Sequence, residues 1–112
     1  MIAKEISGLS TIFESYEIFI LDLWGTIYDG QTLFPEIKTL LEQLKERDKT
    51  IIFLSNSPQL PKVVYQRLER LGLSTLHYDH LVTSGGETNW QLTNMELKEF
   101  SIFNGKVFQI GP

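Results

Sequence analysis

The chain has no cysteine, which excludes disulfides and thiolate metal sites. It also has no lysine and arginine cluster. Ten basic residues are spread against fourteen acidic ones for a net charge of -4, a poor match for nucleic acid. Long hydrophobic runs are missing as well. The start, Met1-Ile2-Ala3-Lys4-Glu5, has neither an apolar core nor a cleavage signal, and no apolar run approaches membrane-spanning length. These absences point to a soluble, cytoplasmic protein with no nucleic-acid or membrane partner. There is no internal repeat and no low-complexity stretch. What remains is ordinary globular composition: 112 residues, 42% hydrophobic and 21% charged, enough for one domain at most.

The apolar spacing alternates between two periods. Ile2, Ile6, Leu9 and Phe13 recur at helical spacing, which predicts a short amphipathic helix in the first fifteen residues, weakened by Gly8. Ile18 to Leu21 reads as a strand buried on both faces, and Thr50 to Leu54 as a second. Between them Pro35 suits a first helical turn, with Ile37, Leu40, Leu41 and Leu44 on one face. A further helix is expected from about Pro58 to Leu71, with Pro61 in its first turn and Gly72 as its stop. Leu81-Val82-Thr83 predicts a third strand. Ser84 and Glu87 have the spacing of a capping box, for a helix running towards Asn94. Lys106 to Ile110 predicts a last strand after a turn at Asn104-Gly105. This alternation implies an α/β fold, a Rossmann-like parallel sheet with right-handed crossovers and helices on both faces.

Parallel strands deliver their carboxyl ends to one edge, where open α/β sheets bind ligands. The first strand ends at Asp22, followed by Gly25-Thr26, a flexible residue and a hydroxyl suited to a tight turn beside an anion. The second ends at Ser55-Asn56, just before a helix whose free N–H groups favour negative charge. A carboxylate, a hydroxyl and a helix N-terminus suit covalent phosphoryl transfer with a metal neutralising charge. Structural roles compete for the same residues. Asp22 can cap its own turn, Ser55 can cap the next helix, and Asp29-Gly30 is a common turn pair. His77 and His80 around Asp79 read as solvated loop residues rather than metal ligands.

Asp22-Leu23-Trp24-Gly25-Thr26-Ile27 resembles the first motif of the haloacid dehalogenase superfamily, Asp-x-Asp-Gly-Thr-hydrophobic. Phe53-Leu54-Ser55-Asn56-Ser57 resembles its second motif, and Leu71-Gly72-Leu73 with Val82-Thr83-Ser84-Gly85 resembles the subclass IIA branch of NagD-like and p-nitrophenylphosphatase-like enzymes. The resemblance runs from about Tyr16 to Gly111. It implies Mg²⁺-dependent hydrolysis of a small phosphorylated metabolite through an aspartyl-phosphate. Asp22 would be the nucleophile and a metal ligand, the Trp24 backbone carbonyl a second ligand, and Thr26, Ser55 and Asn56 the phosphate-binding groups.

Two departures from the family pattern stand beside this. Trp24 occupies the place of a second Asp that protonates the leaving group, and indole has no proton to trade at neutral pH. Family members that cleave carbon–halogen bonds carry an aromatic residue there, but Asp29 to Pro35 is too short for their cap. The family's later lysine and acidic pair are expected beyond a cap domain, and Lys106 to Gly111 resembles the strand that opens such a cap. The expected organisation is therefore the front of a core domain over residues 1–104 and the start of a cap over residues 105–112, in a chain inactive by itself. The rival expectation is a non-catalytic remnant or phosphate-binding module. An oligomer or partner chain is also expected as a possibility, because a fourth strand would expose an apolar edge.

Overall fold

A computed structural model describes residues 5–94 and residue 110 of the chain. Strands β1 (Ile18–Asp22), β2 (Thr50–Ser55) and β3 (His80–Thr83) form one parallel sheet in the order β1-β2-β3. Helices α1 (Ile37–Lys45) and α2 (Pro61–Arg70) make the crossovers, and α3 (Ser84–Asn94) follows β3 directly. The α/β alternation read from the sequence is present. The expected strand at Lys106 to Ile110 and the cap beginning at residue 105 lie outside the described residues but for Ile110.

Local chemistry moves several boundaries. The first helix is a 3-10 helix, Leu9–Ser15, which seats Phe13 in the core edge-on to Phe19 at a centroid distance of 6.2 Å. Glu36 sits in the left-handed region at φ 67°, so α1 begins at Ile37 and Pro35 belongs to the preceding turn. The second crossover helix starts at Pro61 rather than Pro58. A proline lacks the N–H that a first helical position leaves unpaired anyway, and Pro61 takes that position. Gly72, at φ 89°, closes α2 as expected, and Leu73 N–H returns to the Leu68 carbonyl at 2.9 Å.

The sheet corrects the reading of β1 as buried on both faces. Phe19, Ile51, Phe53 and Leu81 are buried on one face, together with Leu41 and Leu44 of α1 and Val64 and Leu68 of α2. Ile18, Ile20, Leu54 and Val82 point the other way, and Ile20 is 62% exposed. The reason is topological. Successive right-handed crossovers that step in one direction across a sheet lay their helices on the same face. A reversal of strand order would place a helix on the second face, and the order β1-β2-β3 of the described strands contains none.

Candidate functional site at the carboxyl edge of the sheet

Asp22 lies in register with Leu54, so Ser55 and Asn56 are the next residues on the neighbouring strand. Ser55 in turn pairs with Thr83. The sheet therefore brings together at one edge the residues singled out from the sequence. Asp22 is exposed, and its carboxylate has no hydrogen-bond partner among the described residues.

The loop after β1 folds around one carbonyl. Leu23 O accepts N–H groups from Thr26, Ile27 and Tyr28 at 3.2, 2.8 and 3.2 Å, with Leu23 and Ile27 buried beneath. Gly25 sits at φ 79° and donates to Tyr28 O at 2.8 Å, a geometry that side chains disfavour. Thr26 is exposed on this turn. Trp24 does not plug a space among core groups. It is 67% exposed, and its indole lies over Gly30, where an added Cβ would come within 3.2 Å of Nε1. Asp29 is a turn residue: its carboxylate accepts Gln31 and Thr32 N–H, each at 2.8 Å. The Thr32 bond and then the Gln31 bond hold its pKa below the usual carboxylate value.

The loop after β2 is held from below. Ser55 is buried, and its Oγ accepts Ser57 N–H at 3.2 Å, which leaves its hydroxyl proton free of that bond. Ser57 Oγ repeats the pattern with Gln59 N–H at 3.2 Å. Asn56, between them, is exposed.

Sequence reasoning missed the clamp under this loop. Thr83 donates from Oγ1 to Gln59 O at 2.7 Å, and the same oxygen accepts Gly86 N–H at 2.9 Å. Thr83 therefore caps α3, correcting the Ser84–Glu87 box, while Glu87 instead accepts from Gln91 Nε2 at 2.7 Å. Gly85 N–H donates to Ser57 O at 3.0 Å. A Cβ on Gly85 would meet Pro58 O at 1.9 Å, and one on Gly86 would meet Pro61 Cδ at 2.7 Å. The legible signal was a pair of glycines just after a strand, which permits close backbone approach. Arg67 was also missed. Its guanidinium reaches Tyr28 OH at 3.5 Å and Gln59 Oε1 at 3.4 Å, joining the two loops by long contacts.

The Asp22 carboxylate and the Trp24 carbonyl are hard oxygen donors of the kind Mg²⁺ takes while keeping several waters. That donor set fits the ion. Among the described residues no group of three or more His, Asp or Glu side chains is placed to hold a metal. His77 is buried, with Ser74 N–H donating to Nδ1 at 3.0 Å, and His80 is exposed at the start of β3. No helix among the described residues is long and apolar enough to cross a membrane.

Known proteins share this fold. A haloacid dehalogenase-like hydrolase from Brucella suis 1330 superposes with a TM-score of 0.68 at 32% identity, over 75% of this chain and 32% of its own. A hypothetical protein from Pyrococcus horikoshii OT3 gives 0.56 at 29% identity, over 70% and 30%. Phosphoglycolate phosphatase 2 of Arabidopsis thaliana is 24% identical over 79 residues, 70% of this chain and 26% of that protein. The chloroplastic phosphoglycolate phosphatase 1A of the same plant is 27% identical over 75 residues, 66% and 21%. The chain thus spans about a quarter of the length of the curated relatives it matches. The family of haloacid dehalogenase-like hydrolases matches residues 19–112, which include both strand-end motifs. The chain belongs to that family.

Proposed function

We propose that this chain carries the nucleophile and the phosphate-holding half of a Mg²⁺-dependent phosphatase site of the subclass IIA type, acting on a small phosphate ester. The observation that carries the reading is the exposed carboxylate of Asp22, without a hydrogen-bond partner among the described residues, in register with Leu54 and so one strand from Ser55 and Asn56. The relatives named phosphoglycolate phosphatases support a small organic phosphate as substrate.

In this reading Ser55 O–H and the Asn56 side-chain amide donate to phosphate oxygens, and Thr26 lines the opposite side from the β1 loop. An Asp22 oxygen attacks phosphorus, the bond to the ester oxygen breaks, and an aspartyl-phosphate forms. Water then attacks this mixed anhydride, releasing inorganic phosphate and restoring the carboxylate. Mg²⁺, held by Asp22 and the Trp24 carbonyl, supplies charge neutralisation when bound. The leaving oxygen takes its proton from water, because Trp24 has none to give. Absence of a general acid costs about 10²–10⁴-fold in rate for a poor leaving group.

An aryl phosphate with a stable phenolate leaving group escapes that cost, so p-nitrophenyl phosphate is the discriminating substrate. Joined to the family's later lysine and acidic pair, this chain is expected to release p-nitrophenolate with Mg²⁺, and Asp22→Asn to abolish the release. Binding of inorganic phosphate at Ser55 and Asn56 without turnover would leave the phosphate-binding module as the better account. No phosphate binding at all would sink both.

A further inference from the structure

The ladder between β1 and β2 ends at the pair Asp22–Leu54. Beyond it, no backbone hydrogen bond joins the loop after β1 to the loop after β2 among the described residues. The link there is a side chain. Arg67 stands on α2, and its Nη1 donates to Tyr28 OH at 3.5 Å while Nη2 donates to Gln59 Oε1 at 3.4 Å. A guanidinium is a rigid planar fork, so two acceptors on different nitrogens are held relative to each other. Among the described residues no carboxylate pairs with Arg67 and competes for that fork.

Each acceptor is seated firmly on its own loop. Tyr28 is buried, donates its N–H to Leu23 O at 3.2 Å and accepts Gly25 N–H at 2.8 Å. It therefore moves with the turn that follows Asp22. Gln59 donates its N–H to Ser57 Oγ at 3.2 Å, and its carbonyl accepts from Thr83 Oγ1 at 2.7 Å. Ser57 N–H in turn reaches Ser55 Oγ, so Gln59 moves with Ser55 and Asn56. A shift of one loop against the other has to stretch the Arg67 bridge.

We propose that Arg67 is a positioning residue that sets the spacing between Asp22 and the phosphate-holding pair Ser55 and Asn56. The assignment rests on the phosphate-site reading above. Arg67 acts through Tyr28 and Gln59 rather than on the phosphate itself. Attack by a carboxylate oxygen needs phosphorus close and in line, and a misplacement of about 1 Å can cost about 10²-fold. Phosphate held by the β2 loop alone should still bind once the bridge is cut, but out of line with Asp22.

The first arm of the test is ¹⁵N NMR of the full chain and needs no ligand. Tyr28→Phe keeps the ring and removes the oxygen. It should shift the amides of Asn56, Ser57 and Gln59 on the other loop as well as those of Gly25 and Thr26 on its own. Against an Arg67→Met background, which keeps the aliphatic stem and drops the donors, Tyr28→Phe should leave the other loop unmoved. Arg67→Lys should not restore the transmission, because it keeps the charge and loses the fork. The second arm uses this chain joined to the family's later lysine and acidic pair. Arg67→Met should lower kcat for p-nitrophenyl phosphate about tenfold and leave KM within about twofold. The assignment is overturned if the other loop does not shift, if its shift survives Arg67→Met, if Arg67→Lys restores it in full, or if KM rises while kcat holds. Loss of the cross-loop shift beside intact p-nitrophenolate release overturns the role of Arg67 alone. Absence of release from the joined wild type would instead overturn the phosphate-site reading, and this assignment with it.

Discussion

Asp79 and Asp22 are the same side chain at opposite ends of one sheet, and the structure treats them in opposite ways. Asp79, just before β3, uses both carboxylate oxygens: Oδ1 meets Lys45 Nζ at 2.6 Å, and Oδ2 accepts Ile51 N–H at 2.8 Å. Its own N–H returns to Ile51 O at 2.9 Å. Nearby at the same end, Lys49 meets Glu17 at 3.2 Å. Asp22, at the carboxyl end, has no such partner among the described residues. There the loops are held by backbone groups such as Leu23 O and Gly85 N–H and by the Thr83 hydroxyl, while the side chains of Asp22 and Asn56 make no hydrogen bond among the described residues. A polar group with its bonds filled is part of the frame. One left open on a rigid frame is available for chemistry.

The largest break in that pattern is expected from Gly85→Ala. Its Cβ would meet a backbone carbonyl, Pro58 O, at 1.9 Å, and no flexible side chain can yield there. Overpacking of this kind costs ~3 kcal/mol, a fall in Tm on the order of 15 °C for a chain of this size. Thermal melts of the two proteins measure it, and an unchanged Tm would show that the clamp gives way freely. Thr83→Val comes next. It keeps the shape but leaves Gln59 O and Gly86 N–H without their shared partner, at a cost of about 2 kcal/mol. Thr83→Ser should recover most of it in urea unfolding.

At the other end, Asp79→Asn should cost about 1 kcal/mol, because the lost ion pair is partly exposed. The pH profile separates it from a packing defect. The Ile51 N–H bond, followed by Lys45, holds the folded-state pKa of Asp79 below 3.8. A depressed carboxylate contributes its full stability above the unfolded value and loses it as pH falls through the folded one. Wild type should therefore lose its advantage over Asp79→Asn below about pH 4. A gap that persists at pH 2 would assign the effect to packing instead.

The same contrast explains what was legible beforehand. The strands, the crossovers and the two strand-end motifs all register as local pattern: apolar runs, a proline at a helix start, a glycine after Leu71, an aspartate and a serine where runs stop. That no described helix covers the second face of the sheet was not legible from β1, because Ile18 to Leu21 is apolar throughout and coverage depends on strand order. The clamp was missed for a related reason. Ser84 and Glu87 offered a local capping explanation, whereas Thr83 and Gly85 act on Gln59, Ser57 and Pro58 more than twenty residues away. The indole of Trp24 over Gly30 likewise depends on how the loop turns back after Tyr28.

The smallest stability effect should come from the residue with the largest proposed chemical role. Asp22 has no partner to lose among the described residues, so Asp22→Asn is expected to shift unfolding free energy by no more than about 0.5 kcal/mol, the ordinary range for exposed positions. A paired carboxylate such as Asp79 cannot be changed so cheaply. The informative quantity is the difference between the two variants under one set of conditions. If Asp22→Asn leaves urea unfolding unchanged while abolishing Mg²⁺-dependent release of p-nitrophenolate, its carboxylate is kept for a reaction rather than for the fold. Equal destabilisation by Asp22→Asn and Asp79→Asn would mean that Asp22 has a structural partner after all. The division of labour between the two ends of the sheet would then fail at its most specific point.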